Sequence, residues 1–435
     1  MRSGVADSVS CSRRRGPEAR IAGNIAIPMP TPPPIPVLPA SPAASPAARA
    51  RDPRPGLSGL DTGALAAWIA ERGAPAFRAR QVSDHLWSGR PGGVDALRTL
   101  PAELRAALDA SFRVDTLPET LVREADGGLT EKALHHLDDG RTIESVLMRY
   151  PARGPRRERA TICISSQAGC AVGCPFCATG ELGFWRDLEV AEIVDQARFW
   201  RGRLAPEGRR VTNIVFMGMG EPFLNTERVL QAAAILTDPA AFGLGARHVT
   251  ISTSGVVPGI AALTAFGSQV TLAVSLHAAR PALRDLLVPL NRRWPVAEVV
   301  EAATGYAEAT GRRVTYEIVM IDGINDTPAD AEATATLLRG RLAHVNLIPM
   351  NPVAHTPWQP SPRERIDAFA ETLRRVGIDT TIRRNRGIEI GAACGQLAAE
   401  LAGAPAPAAV ARRRELLVRE SAAALLDAGS TGTPA

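Results

Sequence analysis

From about residue 160 the chain alternates short apolar, β-branched runs with helical stripes. Candidate strands are Thr161–Ile164, Thr212–Met217, His248–Ser252, Val270–Ser275, Val314–Met320 and His344–Ile348, with a last one near Thr380–Arg383. Between them apolar residues recur at helical spacing, as at Val190, Ile193, Val194 and Ala197. Repeated strand–helix alternation predicts an α/β fold on a parallel sheet, and a barrel or a doubly wound sheet would both give this string. The polar residues favour the barrel. Nearly every strand ends in Ser, Gly-Glu, His or Asn, and barrels assemble their sites from the C-terminal ends of several strands. The expectation is a partial (β/α)6 barrel over residues 160–398.

The pattern before it differs. Residues 1–55 are rich in Pro, Ala and Arg without alternation or helical recurrence, and predict a disordered tail in which Met29 is an alternative start and Cys11 has no evident part. Residues 56–115 predict a small helical module. Leu65, Trp68 and Ile69 form one stripe, Val82, Leu86 and Trp87 a second, and Leu100-Pro101 opens a third helix through Leu104 and Leu108. Arg78, Arg80 and Arg90 leave room there for RNA contact. Residues 116–159 predict a strand-rich linker with a turn at Asp138-Asp139-Gly140. Residues 399–435 predict a C-terminal helix and tail.

Composition narrows the setting. No apolar stretch is long enough to cross a bilayer, so the expected address is the cytoplasm. The chain has six cysteines, four of them within Cys163–Cys177, a distribution that reads as metal or redox chemistry in a reducing compartment. Net charge is +5, and the arginines are grouped. Arg141, Arg149, Arg153, Arg156, Arg157 and Arg159 precede the cysteines; Arg383, Arg384 and Arg386 precede Cys394. Solvated surface is the bland reading of any one arginine, whereas two groups flanking the cysteines suit a polyanionic substrate.

Cys170, Cys174 and Cys177 form C-x3-C-x2-C. Three thiolates on one short loop suit three corners of a four-iron cluster, leaving one iron open. Zinc normally takes two such pairs, and only one C-x2-C is present. A dithiol motif at Cys174-Pro175-Phe176-Cys177 would leave Cys170 unexplained. The spacing resembles the signature of the radical-SAM superfamily, whose open iron binds and cleaves S-adenosylmethionine (SAM).

Gly218-Met219-Gly220-Glu221-Pro222 follows a predicted strand, and a carboxylate beside glycines can accept from an amino group. Ser252, Ser275, His277 and Asn351 also follow predicted strands. Each alone reads as a cap or turn; together they favour one shared pocket. Cys163 and Cys394 stand apart from the loop, and a lone cysteine is ordinarily a small buried apolar residue. Glu144 is an acid within an apolar strand, where burial would suit it to proton transfer.

Taken together, Ile143-Glu144-Ser145-Val146, Cys163 through Cys170, Gly218–Pro222, Ser252–Val256, Ser275–Ala278, Asn346–Pro349 and Ala393–Leu397 resemble one family. It is the bacterial dual-specificity ribosomal RNA and transfer RNA adenine-C2 methyltransferases, which are radical-SAM enzymes. The resemblance runs from about Leu57 to Leu397. It implies that Cys170, Cys174 and Cys177 ligate a [4Fe–4S] cluster. It implies that Gly220, Glu221, Ser252, Ser275, Leu276, His277 and Asn351 bind SAM, and that Cys394 carries the methyl group with Cys163 as its resolving partner. Glu144 would be the acid–base residue. The implied substrates are an adenosine of 23S ribosomal RNA and the adenosine 3′ of the anticodon in tRNAs, with an electron donor such as flavodoxin and a monomeric enzyme. Two departures touch substrate contacts. Gly391 stands where the family often has an acid, and Pro151–Arg159 looks like a basic insertion. The rival readings are a C8-specific adenine methyltransferase with the same cysteines, and a non-catalytic iron–sulfur RNA-binding protein that needs neither the strand-end residues nor Cys394.

Overall fold

The computed structural model describes residues 51–397, apart from 90, 91, 153, 155, 156, 354 and 355. Most of the expected tail, with Cys11 and Met29, therefore lies outside the described residues, as do Arg90, Arg153, Arg156 and the expected C-terminal helix.

The helical segment comprises α1 (Thr62–Glu71), α2 (Phe77–Leu86) and α3 (Ala102–Ser111). Asp61 caps α1, its side chain accepting from Ala64 N–H at 2.7 Å. The stripes face inward as their spacing requires. Leu65, Ile69, Val82, Leu86, Leu104 and Leu108 are buried in one core continuous with the rest of the molecule. Residues 51–55 are tied in as well, with Arg113 Nε donating to the Arg54 carbonyl at 2.7 Å.

Three antiparallel strands follow, β1 (Glu119–Ala125), β2 (Thr130–His136) and β3 (Thr142–Tyr150), with the turn at Asp138–Gly140 between the last two. They are part of the main sheet: β3 pairs antiparallel with β4 (Arg159–Cys163). A small hairpin, β5 (Gln167–Gly169) and β6 (Phe184–Asp187), encloses the cysteine loop and the short α4 (Ala178–Glu181).

The barrel portion continues through α5 (Val190–Leu204), β7 (Asn213–Phe216), α6 (Thr226–Thr237), β8 (Val249–Thr253), α7 (Val257–Ala265) and β9 (Thr271–Ser275). It is completed by α8 (Pro281–Leu287), α9 (Val296–Thr310), β10 (Val314–Met320), α10 (Pro328–Leu338), β11 (Ala343–Pro349), α11 (Arg363–Arg375) and β12 (Asp379–Ile382). All neighbours from β4 to β12 in the order 4-7-8-9-10-11-12 pair parallel. This is an α/β fold, a partial barrel in which seven parallel strands are extended on one edge by three antiparallel ones. Parallel strands are buried on both faces, so they read as apolar runs: Ile214, Phe216, Ile251, Leu272, Val274, Ile318 and Leu347 are all at or near zero exposure. The consequence for function is that the loops after β4, β7, β8, β9, β10 and β11 emerge at one end. Among the described residues no helix is long and apolar enough to cross a membrane.

Candidate active site

The cysteine loop leaves β4 at Cys163 and returns through β5. Gly169 adopts φ +77°, and a Cβ there would lie 2.0 Å from the Gly183 carbonyl oxygen, so only glycine lets Cys170 N–H reach that same oxygen at 2.8 Å. Cys170, Cys174 and Cys177 are half-buried free thiols that line a single cavity. Burial pushes the Cys170 thiol up to about 12 and Cys174 well above its ordinary value. A wall that disfavours bare thiolates becomes favourable once metal carries the opposite charge. A four-iron cluster takes each of three thiolates on a separate iron and leaves the fourth iron open. The donor set thus fits the three protein ligands of such a cluster.

The opposite wall of this cavity comes from strand ends. Gly220, at φ +97°, passes so close to Gln167 that a Cβ would meet its side chain at 2.5 Å. Glu221 is buried; its Oε1 accepts from Phe223 N–H at 3.0 Å, and its Oε2 accepts from both the N–H and the hydroxyl of Ser254 at 2.7 Å. Burial raises this carboxyl, and the Ser254 and Phe223 hydrogen bonds oppose the rise. The hydroxyls of Ser252 and Ser275, on adjacent strands β8 and β9, lie 3.5 Å apart and face the same space. His277 holds a left-handed backbone, φ +57°, and its Nδ1 accepts from Val319 N–H at 3.1 Å. Burial, assisted by nearby Arg284, lowers it to about 3, so the ring is neutral. That ring packs edge-on to Phe176, centroids 4.7 Å apart, which brings the β9 end against the cysteine loop.

Leu276 and Asn351 are placed differently from the other expected ligands. The Leu276 side chain is fully buried and lines neither cavity; its carbonyl accepts from Arg284 Nε at 2.9 Å. Asn351 lies on the Cys394 side. Its Nδ2 donates to the Cys394 carbonyl at 2.9 Å, and its Oδ1 is buried without a partner among the described residues.

Cys394 follows a turn of 3-10 helix (Ile388–Ile390) on the loop after β12. The loop is seated on the cysteine loop: Ala178 N–H donates to the Gly395 carbonyl at 2.7 Å and Thr179 Oγ1 to the Leu397 carbonyl at 3.0 Å. Cys394 stands in the wall between two cavities. One is the cluster cavity; the other is lined by Cys163, Val146, Met148, Tyr150, Asn351 and Arg383–Arg386. Its sulfur opens into this space, yet protein crowds it on enough sides to raise its pKa, while Arg383 pulls the other way. Cys163 is buried and pushed up to about 12 by desolvation and by Cys394 beside it, again opposed by Arg383. Arg383 lines both cavities.

Glu144 lines neither cavity. It is fully buried on β3, on the same strand face as Val146, Met148 and Tyr150, and its Oε1 is 3.2 Å from Lys132 Nζ. Sequence reasoning missed Lys132, Arg284 and Glu317, the last a buried carboxylate on β10 that lines the cluster cavity and accepts from Asn346 Nδ2 at 2.8 Å. Arg284, also fully buried, donates to the carbonyls of Leu276, Ser254 and Ser275 and to Asn291 Oδ1, tying the loops after β8 and β9 together. Its signal in the sequence was an arginine between Leu283 and Leu287 on an inward helix face. Of the two basic spans, Arg149 is spent internally on Glu131 and on Glu207 at 2.9 Å, whereas Arg159 meets Arg386 over one ring, Tyr150. In the helical module Arg78 donates to the Thr99 carbonyl and Arg80 faces Asp84.

Comparison with known proteins agrees with this arrangement. The family model described as the Radical SAM superfamily matches residues 164–338. A protein of Parafrankia sp. (strain EAN1pec) named "probable dual-specificity RNA methyltransferase RlmN" is 49% identical over 366 residues, 81% of this chain and 93% of that one. A protein of the same name from Salinispora arenicola (strain CNS-205) is 47% identical across 83% of this chain and 97% of its own length. The crystal structure of a radical SAM methyltransferase from Sphaerobacter thermophilus superposes with a TM-score of 0.76 at 46% identity, covering 79% of this chain and 99% of that chain.

Proposed function

We propose that this chain, which belongs to the radical-SAM family of dual-specificity RNA methyltransferases, methylates C2 of one adenosine in 23S ribosomal RNA and of the adenosine 3′ of the anticodon in tRNAs. The observation that carries the reading is the position of Cys394. It stands between a cavity holding three cluster-type cysteines and a cavity holding a second thiol.

An aromatic adenine carbon is not a nucleophile, so polar methyl transfer cannot reach it and a carbon radical is needed. Cys170, Cys174 and Cys177 would hold a [4Fe–4S] cluster, which with SAM beside it would supply the hydrogen-abstracting radical. The residues divide the remaining work. Glu221, Gly220, Ser252, Ser275 and His277 line the space for SAM, the carboxylate and hydroxyls offering acceptors to its amino and ribose donors. Cys394, as a thiolate aided by Arg383, attacks the sulfonium methyl of one SAM molecule, the S–CH3 bond breaks, S-adenosylhomocysteine leaves, and the cysteine becomes the methyl carrier. After hydrogen abstraction from that methyl group, its carbon joins C2 of the base. We assign Glu144, paired with Lys132 and next along the strand face to Val146 of the cavity wall, as the acid–base group for the C2 proton. Cys163, as a thiolate, attacks the Cys394 sulfur: the sulfur–carbon bond breaks, a Cys163–Cys394 disulfide forms, the odd electron would return to the bound cluster, and the methylene left on C2 is protonated to a methyl group; an external dithiol then reduces the disulfide. The target base must be unstacked to enter. Electrons come from a donor such as flavodoxin.

The test is anaerobic reconstitution with iron and sulfide, then addition of SAM, a reductant and unmodified rRNA fragment or tRNA, with nucleosides identified by mass spectrometry. 2-Methyladenosine is expected. 8-Methyladenosine would assign the chain to C8 chemistry, and absence of SAM cleavage would leave an RNA-binding protein.

A further inference from the structure

Arginines that leave bulk solvent in this fold are generally answered by protein. Arg113 holds Asp138 at 2.7 Å and Glu189 at 2.6 Å, Arg186 holds Glu192 at 2.8 Å, and Arg284 is saturated by carbonyls. The mouth of the second cavity differs, because its arginines stay at the surface: Arg384 is exposed and Arg386 half-buried on the loop leading to Cys394, and exposed Arg159, at the start of β4, joins them through the lining residue Tyr150. Arg159 lies 4.2 Å and Arg386 4.5 Å from the centroid of Tyr150, itself a lining residue. Among the described residues none of these three arginines forms an ion pair with an acid. The Tyr150 ring offers only a partial negative face, which does not neutralise two guanidiniums held on one side chain. Three guanidiniums gathered at the rim without an acid among them leave their donors available to an external anion, and guanidinium forks match phosphate oxygens best.

The inner wall says which anion. Val146, Met148 and Ile348 make it apolar, suited to a base, while the cations stay at the rim, where the sugar–phosphate would remain. Resting on the RNA substrate proposed above, we infer that Arg159, Arg384 and Arg386 grip the phosphodiester beside the nucleotide that enters this cavity, with Tyr150 as the post that holds two of them in place. The grip and the methyl-carrying thiol share one loop, anchored by Arg386 Nη1 on the Arg149 carbonyl at 2.8 Å and by Gly387 N–H on Asp126 Oδ2 at 2.9 Å. Seating the phosphate therefore seats the base against Cys394.

The test is fluorescence-polarisation titration of the reconstituted enzyme with a labelled RNA hairpin carrying an unpaired adenosine, at several salt concentrations. Arg384→Ala is the primary variant, because Arg384 is exposed and its removal leaves the loop anchors intact. It should weaken binding roughly threefold to tenfold and lower the slope of log affinity against log salt by about 1; with Arg159→Ala added, the slope should fall by about 2. Arg247→Ala, exposed on the turn before β8 and outside both cavities, should leave the slope unchanged. Replacing the phosphate next to the adenosine by neutral methylphosphonate should erase the difference between parent and Arg384→Ala. A parent slope in the double variant, or a methylphosphonate that weakens parent and variant alike, overturns the grip. Methylation at C2 is read separately. An enzyme that makes 2-methyladenosine with unchanged binding in the variants loses only this inference, and one that shows the binding losses but makes no 2-methyladenosine loses only the reaction.

Discussion

The two cavities that meet at Cys394 are finished in opposite ways. On the cluster side the protein answers its own polarity: Glu221 is satisfied by Ser254 and Phe223, His277 by Val319, and Arg284 by carbonyls and Asn291. On the other side Arg384, Arg386 and Arg159 have no acid partner among the described residues. The first is a mould set before the ligand arrives, with little polar rearrangement left to do. The second carries surplus charge that its ligand must complete. Substitutions in the first should therefore act on folding and chemistry, and substitutions in the second on substrate capture.

The largest effect expected is at the shared wall. Cys394→Ala should leave RNA binding within about twofold and reduce methylated nucleoside below detection by mass spectrometry. Cys163→Ala should trap RNA covalently on Cys394, seen as a slow band on a denaturing gel; free product at the parent rate would remove Cys163 from the mechanism. Next is Arg284→Met, which strands several buried acceptors of the first cavity at once. It should cost roughly 3 kcal/mol of unfolding free energy in urea titration, with a matching loss of SAM affinity. Arg383→Met is smaller. Arg383 favours the thiolate of Cys394, so its loss raises that thiol and moves the pH–rate curve for methyl transfer to the alkaline side. The thiolate fraction near neutrality, and with it the rate of alkylation, should fall, read as a slower methyl transfer from labelled SAM to Cys394.

The smallest effect is acid sensitivity. His277 in the first cavity and His135 on β2, which bonds Ser145 and Thr120, are each lowered to about 3 by burial. The folded state keeps them neutral while the unfolded chain protonates near its ordinary value. Their stability is thus full above about pH 6.5 and falls as the pH drops toward about 3. Going from about pH 7 to about pH 6 should cost about 0.7 kcal/mol for each, measured by denaturant titration, and His135→Gln should flatten part of that slope.

Much of the first cavity was legible because its parts are local. Each strand announces itself by an apolar run and each ligand candidate follows directly, as Ser252 follows Ile251 and His277 follows Val274-Ser275-Leu276. The seven parallel strands fall within two residues of their expected ends, for example Val314–Met320 unchanged and Thr212–Met217 trimmed to Asn213–Phe216. What was not legible depends on register and long-range pairing. That β3 pairs with β4, so that residues 116–150 extend the barrel sheet, is fixed by partners such as Val146 with Cys163. Lys132 meets Glu144 only because β2 and β3 align as they do. Arg159 and Arg386 are remote in sequence, and no local pattern says that Arg149, ten residues before Arg159, turns inward to Glu131 while Arg159 stays at the rim.

The bonds from Ala178 and Thr179 to the carbonyls of Gly395 and Leu397 join the two ends of the reaction mechanically. The carrier thiol takes its position from the segment that bears the three cysteines. Any shift of that segment drags the thiol with it, so the gap across which the methyl group must be reached is kept as the molecule breathes.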